Sequence, residues 1–253
     1  MKGFAPIGYL VLALGWLGTP APAAAQVLSG ASVRVWVGAE RYGLRDVRDW
    51  QRRERADLQG RGVPVEITDG FPTRPGVRID VGTRFLGEHR VGLSAGFGST
   101  GGRLHYADYS GEVRADWVVA RRSFGVFLEQ AAVERATWAT FVTTHGTLDV
   151  ARLRYDAYFQ VGDVADREEV EFSAWSFSVE PELALEVRTF GATFARVGAG
   201  FGYSFGGTLT LDGEPVGLPG STSPLKLRWN GWRVGLTLGV DWGGRDRTPR
   251  TDG

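Results

Sequence analysis

Trp232-Arg233-Val234-Gly235-Leu236-Thr237-Leu238-Gly239-Val240-Asp241-Trp242 decides the fold class of this chain. Successive side chains of a strand point to opposite faces. One face then carries Trp232, Val234, Leu236, Leu238, Val240 and Trp242, and the other carries Arg233, Gly235, Thr237, Gly239 and Asp241. Tryptophan closes the apolar face at both ends. Its ring is apolar while its N–H wants a partner, so it favours a membrane–water boundary. At roughly 3.3 Å per residue and a tilt of about 40°, the stretch covers about 28 Å of height, close to the apolar band of an outer-membrane barrel.

The N-terminus reads as an export signal over residues 1–25. Lys2 is the positive start, an apolar stretch runs from Phe4 to Leu17, and Ala23-Ala24-Ala25 offers the small residues of a cleavage site. The apolar run is short for a spanning helix. The chain has no cysteine, which argues against disulfides and a lipoprotein anchor. Net charge is zero, so no basic surplus points to nucleic acid. With 37 glycines, 14 Phe, 9 Trp and 7 Tyr, residues 26–242 read as one β domain, followed by a polar tail at 243–253.

The same alternation recurs along the chain. Val33 to Ala39 alternate with Arg34, Trp36, Gly38 and Glu40. Val77 to Phe85 alternate with Arg78, Asp80, Gly82 and Arg84, and Val91 to Phe97 alternate with glycine and Ser94. Val113, Ala115, Trp117 and Val119 oppose Arg114 and Asp116. A turn at Arg121-Arg122-Ser123 would lead to a fifth strand from Phe124. Trp175 to Val187 oppose Glu180, Glu182, Glu186 and Arg188, with Pro181 suggesting a bulge or weakened pairing. Ala195 to Phe205 oppose Arg196 and a run of glycines.

Short and long connections alternate, as in barrels with short periplasmic turns and long extracellular loops. The pattern predicts a closed up-and-down antiparallel transmembrane β-barrel of eight strands. Ten remain open because Ala151 to Phe159, within the ambiguous stretch 136–162, could form strand.

A soluble barrel would turn its apolar face inward. Three features favour lipid outside: a glycine-rich second face, aromatics at strand ends, and the alternating loops. The expected girdle is Phe85, Phe97, Trp117, Trp175, Tyr203, Phe205, Trp232 and Trp242. The expected interior holds Arg34, Arg78, Arg84, Arg114, Arg188, Arg196 and Arg233 against Glu40, Asp80, Asp116, Glu180, Glu182, Glu186 and Asp241. Paired buried charges are tolerable where isolated ones are not, so these read as a plug of ion pairs.

The stretch Ser99-Thr100-Gly101-Gly102-Arg103-Leu104-His105-Tyr106-Ala107-Asp108-Tyr109-Ser110-Gly111-Glu112 resembles a recurring loop of an uncharacterised bacterial outer-membrane β-barrel protein family. More broadly, the chain is similar to small OmpA/OmpX-type barrels. The resemblance implies fold and outer-membrane location and brings no activity. It differs at its end: such barrels commonly finish on an aromatic residue read by assembly machinery, whereas Gly243 to Gly253 follow Trp242 here.

In that loop, Arg103, Tyr106, Asp108 and Tyr109 could bind a ligand at the outer rim. The blander expectation is a self-packed loop with Asp108 or Ser110 accepting local hydrogen bonds. Leu44, Val47 and Trp50 have near-helical spacing and predict a short helix, whose Arg52, Arg53 and Arg55 could meet lipopolysaccharide phosphates; with Asp46, Asp49, Glu54 and Asp57 interleaved, the blander expectation is a solvated surface with local ion pairs. Asp163, Asp166, Glu168, Glu169 and Glu171 resemble calcium ligands in type, but their spacing matches no EF-hand. His89, His105 and His145 lie in no catalytic spacing.

The expectation is therefore a non-enzymatic barrel acting in envelope structure or loop-mediated binding. A narrow porin is the alternative, and a lipid-modifying enzyme ranks behind both. No cofactor or metal is expected. The expected partners are outer-membrane lipid, lipopolysaccharide and the barrel-assembly machinery, with a monomer as the working oligomeric state.

Overall fold

The computed structural model describes residues 28–85, 89–135, 137–189, 191–218 and 221–242. The expected signal segment and the polar tail lie outside them. Alternating sequence gives long strands: β1 (Leu28–Tyr42), β3 (Arg74–Phe85), β4 (His89–Asp108), β5 (Gly111–Glu134), β6 (Trp138–Val161), β7 (Val164–Arg188), β8 (Thr193–Gly206) and β11 (Gly231–Trp242). Helix α1 (Arg45–Gly60) and strand β2 (Glu66–Gly70) lie between β1 and β3. The two-residue strands β9 (Thr210–Leu211) and β10 (Glu214–Pro215) lie between β8 and β11.

The eight long strands form a closed antiparallel ring in the order β1, β3, β4, β5, β6, β7, β8, β11. Pairing of Ala31 with Trp242 and of Tyr42 with Gly231 closes it between the first and last strands. Over the lower part of the ring, where β7 pairs with β8 and β1 with β11, closure leaves no open edge. Pro181 lacks an N–H, and the β7–β8 ladder skips Glu180 and Pro181 between Val179–Tyr203 and Glu182–Gly200 without changing register.

At one end the strands are joined by residues 86–88, 135–137 and 189–192. At the other, β4–β5 and β6–β7 are tight hairpins, while residues 43–73 form one cap and residues 207–218 and 221–230 a second. The expected turn at Arg121-Arg122-Ser123 does not exist: β5 runs through it without a break. The expected fourth and fifth strands are therefore one strand. The stretch 138–161 supplies the missing member, so residues 151–159 do not raise the count to ten. The stretch 99–112 is not a loop either. It is the paired upper part of β4 and β5.

The wall has two levels of opposite polarity. In the lower level the outward side chains are apolar and exposed, including Val35, Ile79, Leu93, Val126 and Leu183, with Leu236 and Leu238 63% and 66% exposed. The inward ones there are charged, polar or glycine. Above Val119 on β5, Asp149 on β6 and Ser176 on β7 the sides exchange. Inward positions become Trp117, Ala151, Leu153, Tyr155, Phe172 and Ala174, all buried. Outward positions become Asp116, Arg152, Arg154, Glu169 and Glu171.

Candidate functional site: the barrel interior and its caps

Two clusters of charge fill the lower interior. The first surrounds Glu129 of β5, which is 1% exposed. Its carboxylate accepts from Arg34 at 2.6 Å, Arg90 at 2.9 Å, Arg196 at 2.6 and 3.2 Å, and Thr143 Oγ1 at 2.9 Å. Arg196 also reaches Glu186 at 2.8 Å, and Arg90 donates to Asp241. Arg34 lies 4.5 Å above the Phe127 ring and Arg196 4.5 Å above that of Phe141. Such cation–ring contacts strengthen as water is excluded.

The second cluster centres on Glu180 and Glu182. Arg121 donates to Glu180 at 2.7 Å, to Asp149 at 2.8 Å and to the Tyr42 hydroxyl at 3.0 Å. Arg233 donates to Glu180 and, at 3.2 Å, to Glu182. Arg78 reaches Glu182 at 3.0 Å and Asp80 at 3.2 Å. Tyr42 donates to Glu40, and Ser178 to Asp149. Trp36 lies inside as well. A Cβ on Gly235 would meet its ring at 2.5 Å, so glycine there makes room for it. His145 is fully buried within the same interior, 5.8 Å from Phe127 between ring centroids.

Among the described residues little space remains beside this cluster. Two voids of about 10 Å³ border this cluster, one beside Gly96, Gly98 and Thr147 and one beside Gly202 and Trp229. Each has room for about one water. An eight-stranded ring leaves an interior that side chains can fill.

Of the residues expected inside, Arg34, Glu40, Arg78, Asp80, Arg84, Glu180, Glu182, Glu186, Arg196, Arg233 and Asp241 lie in the lower interior. Arg188 sits at the short-turn rim, bonded to Glu134 at 2.6 Å. Arg114 and Asp116 do not lie inside. They face outward on the upper wall, where Asp116 pairs with Arg103 at 2.5 Å and Arg114 at 3.4 Å. Trp117 is not a girdle residue: it is fully buried inside the upper level. All three expectations failed for one reason. They took the upper part of β5 to have the same polarity as the lower wall.

The remaining girdle candidates Phe97, Trp175, Tyr203, Phe205, Trp232 and Trp242 are outward and exposed, with Phe85 half-buried. Arg90, Arg121, Glu129, Asp149 and His145 were not anticipated. On β5 the outward Phe124, Val126 and Leu128 set the opposite parity for Arg121 and Glu129, so counting from Phe124 rather than from Val119 would have found both.

The upper interior is an apolar core. Leu44 and Val47 at the start of α1 are fully buried, with Phe71, Leu104, Leu153, Leu209, Leu227 and Trp229. The expected helix is present and enters the barrel mouth. Trp50 packs against Tyr155, Phe172 and Trp117 at ring separations of 5.2, 5.7 and 5.9 Å. Gln51 donates to Asp69 O at 2.8 Å and Arg48 to Phe71 O at 2.9 Å, which ties the helix to its own return strand. The second cap joins it where Lys226 N donates to Asp46 at 3.0 Å. Arg52 pairs with Asp49 on the solvent side.

At the β4–β5 tip, Asp108 accepts from Ser110 N at 2.8 Å, Ser110 Oγ at 2.6 Å and the Tyr106 hydroxyl at 2.7 Å. These bonds lower its carboxyl pKa to about 2. Tyr109 is wholly exposed at the tip. The acidic residues Asp166, Glu168, Glu169 and Glu171 are strung along upper β7. Glu169 and Glu171 pair diagonally across the ladder with Arg154 at 3.9 Å and Arg152 at 3.2 Å.

No protein-family model matches the chain, and no curated protein matches it. Among solved structures, the N-terminal β-barrel domain of Pseudomonas aeruginosa OprF is similar over 85% of this chain and 99% of its own, at 11% identity and a TM-score of 0.35. Ail, the attachment invasion locus protein of Yersinia pestis, in complex with the heparin analogue sucrose octasulfate, is similar over 84% of this chain and 99% of its own. Its identity is 11% and its TM-score 0.40. The strand ladders themselves define the class: a closed eight-stranded antiparallel β-barrel with a charged lower interior.

Proposed function

We propose that this chain is a non-enzymatic barrel of the bacterial outer membrane, closed to solutes and acting through its upper wall and caps in envelope structure or binding. The observation that carries the reading is the exchange of faces. Apolar side chains point out and charges point in over one band, and the reverse holds above it. A barrel wholly in water would gain nothing from an exposed aliphatic band, which exceeds the scattered apolar residues of soluble surfaces. Hydrocarbon around the lower level and water around the upper level suit both halves. The short-turn end then faces the periplasm, and the hairpins and caps face outward.

Lipid and lipopolysaccharide are the surroundings this placement implies, and the barrel-assembly machinery is the route to it. Buried guanidinium–carboxylate clusters and water-sized voids support a closed interior over a narrow channel. The test is reconstitution. The protein refolded in detergent should migrate differently on a gel before and after boiling, enter phosphatidylcholine vesicles, and give no stepwise conductance in planar bilayers. Free solubility without surfactant would refute membrane placement, and stepwise conductance would refute the closed interior.

A further inference from the structure

Arg122 occupies a place where a charge is out of keeping. It is exposed on the outward face of β5, between Ala120 and Phe124, beside Phe97 of β4 and Val150 of β6. Along the same face Val118, Phe124, Val126 and Leu128 are exposed and apolar. No hydrogen bond or ion pair joins Arg122 to any described residue. A lipid-facing guanidinium without a partner is costly, and the cost falls towards the headgroup layer.

The local wall offers a path towards that layer. The next outward position up the strand is Ala120, flanked by Ser99 of β4 and by Arg152 of β6. Two residues correspond to about 5 Å of height at a tilt of about 40°. An arginine stem can lie along small apolar side chains and lift its head that far. Arg152 is exposed and pairs with Glu171 at 3.2 Å. Arg122 and Arg152 are diagonal cross-strand neighbours, close enough for long side chains to converge.

We propose that Arg122 and Arg152 hold the phosphate of an outer-leaflet lipid against the β5–β6 wall. The inference rests on the membrane placement argued above. Forked guanidinium donors match phosphate oxygens, and lipid is the one occupant already required by the apolar side chains around them. A second copy of the chain is a poor counterpart. Among the described residues, the outward positions of the apolar band carry no carboxylate to meet Arg122.

The test uses the full-length barrel in phosphatidylcholine vesicles carrying a minor fraction of lipid A, a glycolipid with phosphate on its sugars. Native mass spectrometry after gentle detergent extraction measures retained lipid A. The parent should retain it. Arg122→Leu should lower the apparent affinity roughly tenfold or more, the loss of one charge-assisted contact. Arg152→Leu should lower it less, and dephosphorylated lipid A should be retained weakly by all three.

Leucine suits a lipid-facing wall, so Arg122→Leu should insert at least as well as the parent, as the gel shift on boiling will show. Insertion of both proteins with equal retention, or retention indifferent to the phosphate, overturns the site and leaves the membrane placement standing. Failure of the parent to enter plain phosphatidylcholine vesicles overturns the placement and the site together.

Discussion

Replacing Glu129 by glutamine should be the most damaging single-atom change in the lower interior. Gln keeps the shape but removes the charge shared by three guanidiniums. After the change Arg196 still has Glu186 at 2.8 Å, and Arg90 still has Asp241, with Glu186 at 3.6 Å. Arg34 keeps no carboxylate in ion-pair contact, with Asp80 as its cross-strand neighbour, and retains its Phe127 ring at 4.5 Å. Breaking a buried pair by removing one partner costs about 3–5 kcal/mol, because a charge is left uncompensated. Glu129→Gln should lose about that amount.

The matching control is Arg103→Ala, which removes the half-exposed pair with Asp116 on the upper wall and should cost roughly 0.2–1 kcal/mol. Adding Arg34→Met to Glu129→Gln removes the orphaned charge. The double variant should therefore be more stable than the sum of the singles by about 1 kcal/mol or more. Reversible urea unfolding in phosphatidylcholine vesicles, followed by tryptophan fluorescence and by gel mobility, measures all four. A Glu129→Gln barrel within about 0.5 kcal/mol of the parent would refute the claim that this network holds the interior together.

Trp50→Ala should cost less than the roughly 3–5 kcal/mol of a fully buried tryptophan, since Trp50 is half-buried in the seat formed by Trp117, Tyr155 and Phe172. Limited proteolysis should then cut within residues 43–73 while the boiling-dependent gel shift persists; loss of that shift would contradict a cap separable from the ring. Asp108 has its carboxyl pKa lowered to about 2, so its ordering of the hairpin tip is complete above the ordinary carboxylate value of about 3.9 and lost as pH falls through 2. Amide exchange at Ser110 and Gly111 should rise only in that window, and a rise near neutrality would count against the assignment. Burial pushes the Glu54 carboxyl above its ordinary value, so its ionised form is disfavoured in the folded state and α1 should loosen as pH rises through that interval. Glu54→Gln should remove this slope in helix protection, and an unchanged slope would assign it elsewhere.

The sequence disclosed the lower wall and concealed the upper one, for a physical reason. Trp232 to Trp242, Ala195 to Phe205 and Val33 to Ala39 lie almost wholly in the band where apolar means outward, so one parity rule served them. Val113 to Val119 obey the same period with the opposite meaning, because they enclose an apolar core beneath a charged outer face. Placing a turn at Arg121-Arg122-Ser123 hid the point where the meaning changes. Arg121 and Glu129 keep strict alternation with Val119, so a reading that turns Val119 towards lipid cannot place them inside.

The α1 cap was legible from Leu44, Val47 and Trp50, whose three-residue steps suit a helix face. Its docking into the mouth was not, since the alternation turns Trp117 towards lipid and leaves Tyr155 in the ambiguous stretch 136–162. His145 gave no local signal. Its burial follows from a strand that the ambiguous stretch 136–162 did not declare.

The chain contains no cysteine, so single cysteines can carry nitroxide labels without background. Labels at Leu236, at Thr237 and at Arg154, in the barrel inserted in phosphatidylcholine vesicles, report which wall positions oxygen and a water-soluble nickel chelate reach. The account predicts a label at Leu236 relaxed chiefly by oxygen, a label at Thr237 shielded from both, and a label at Arg154 relaxed chiefly by nickel. A label at Leu236 relaxed chiefly by nickel would contradict it, because hydrocarbon would then not cover the apolar band.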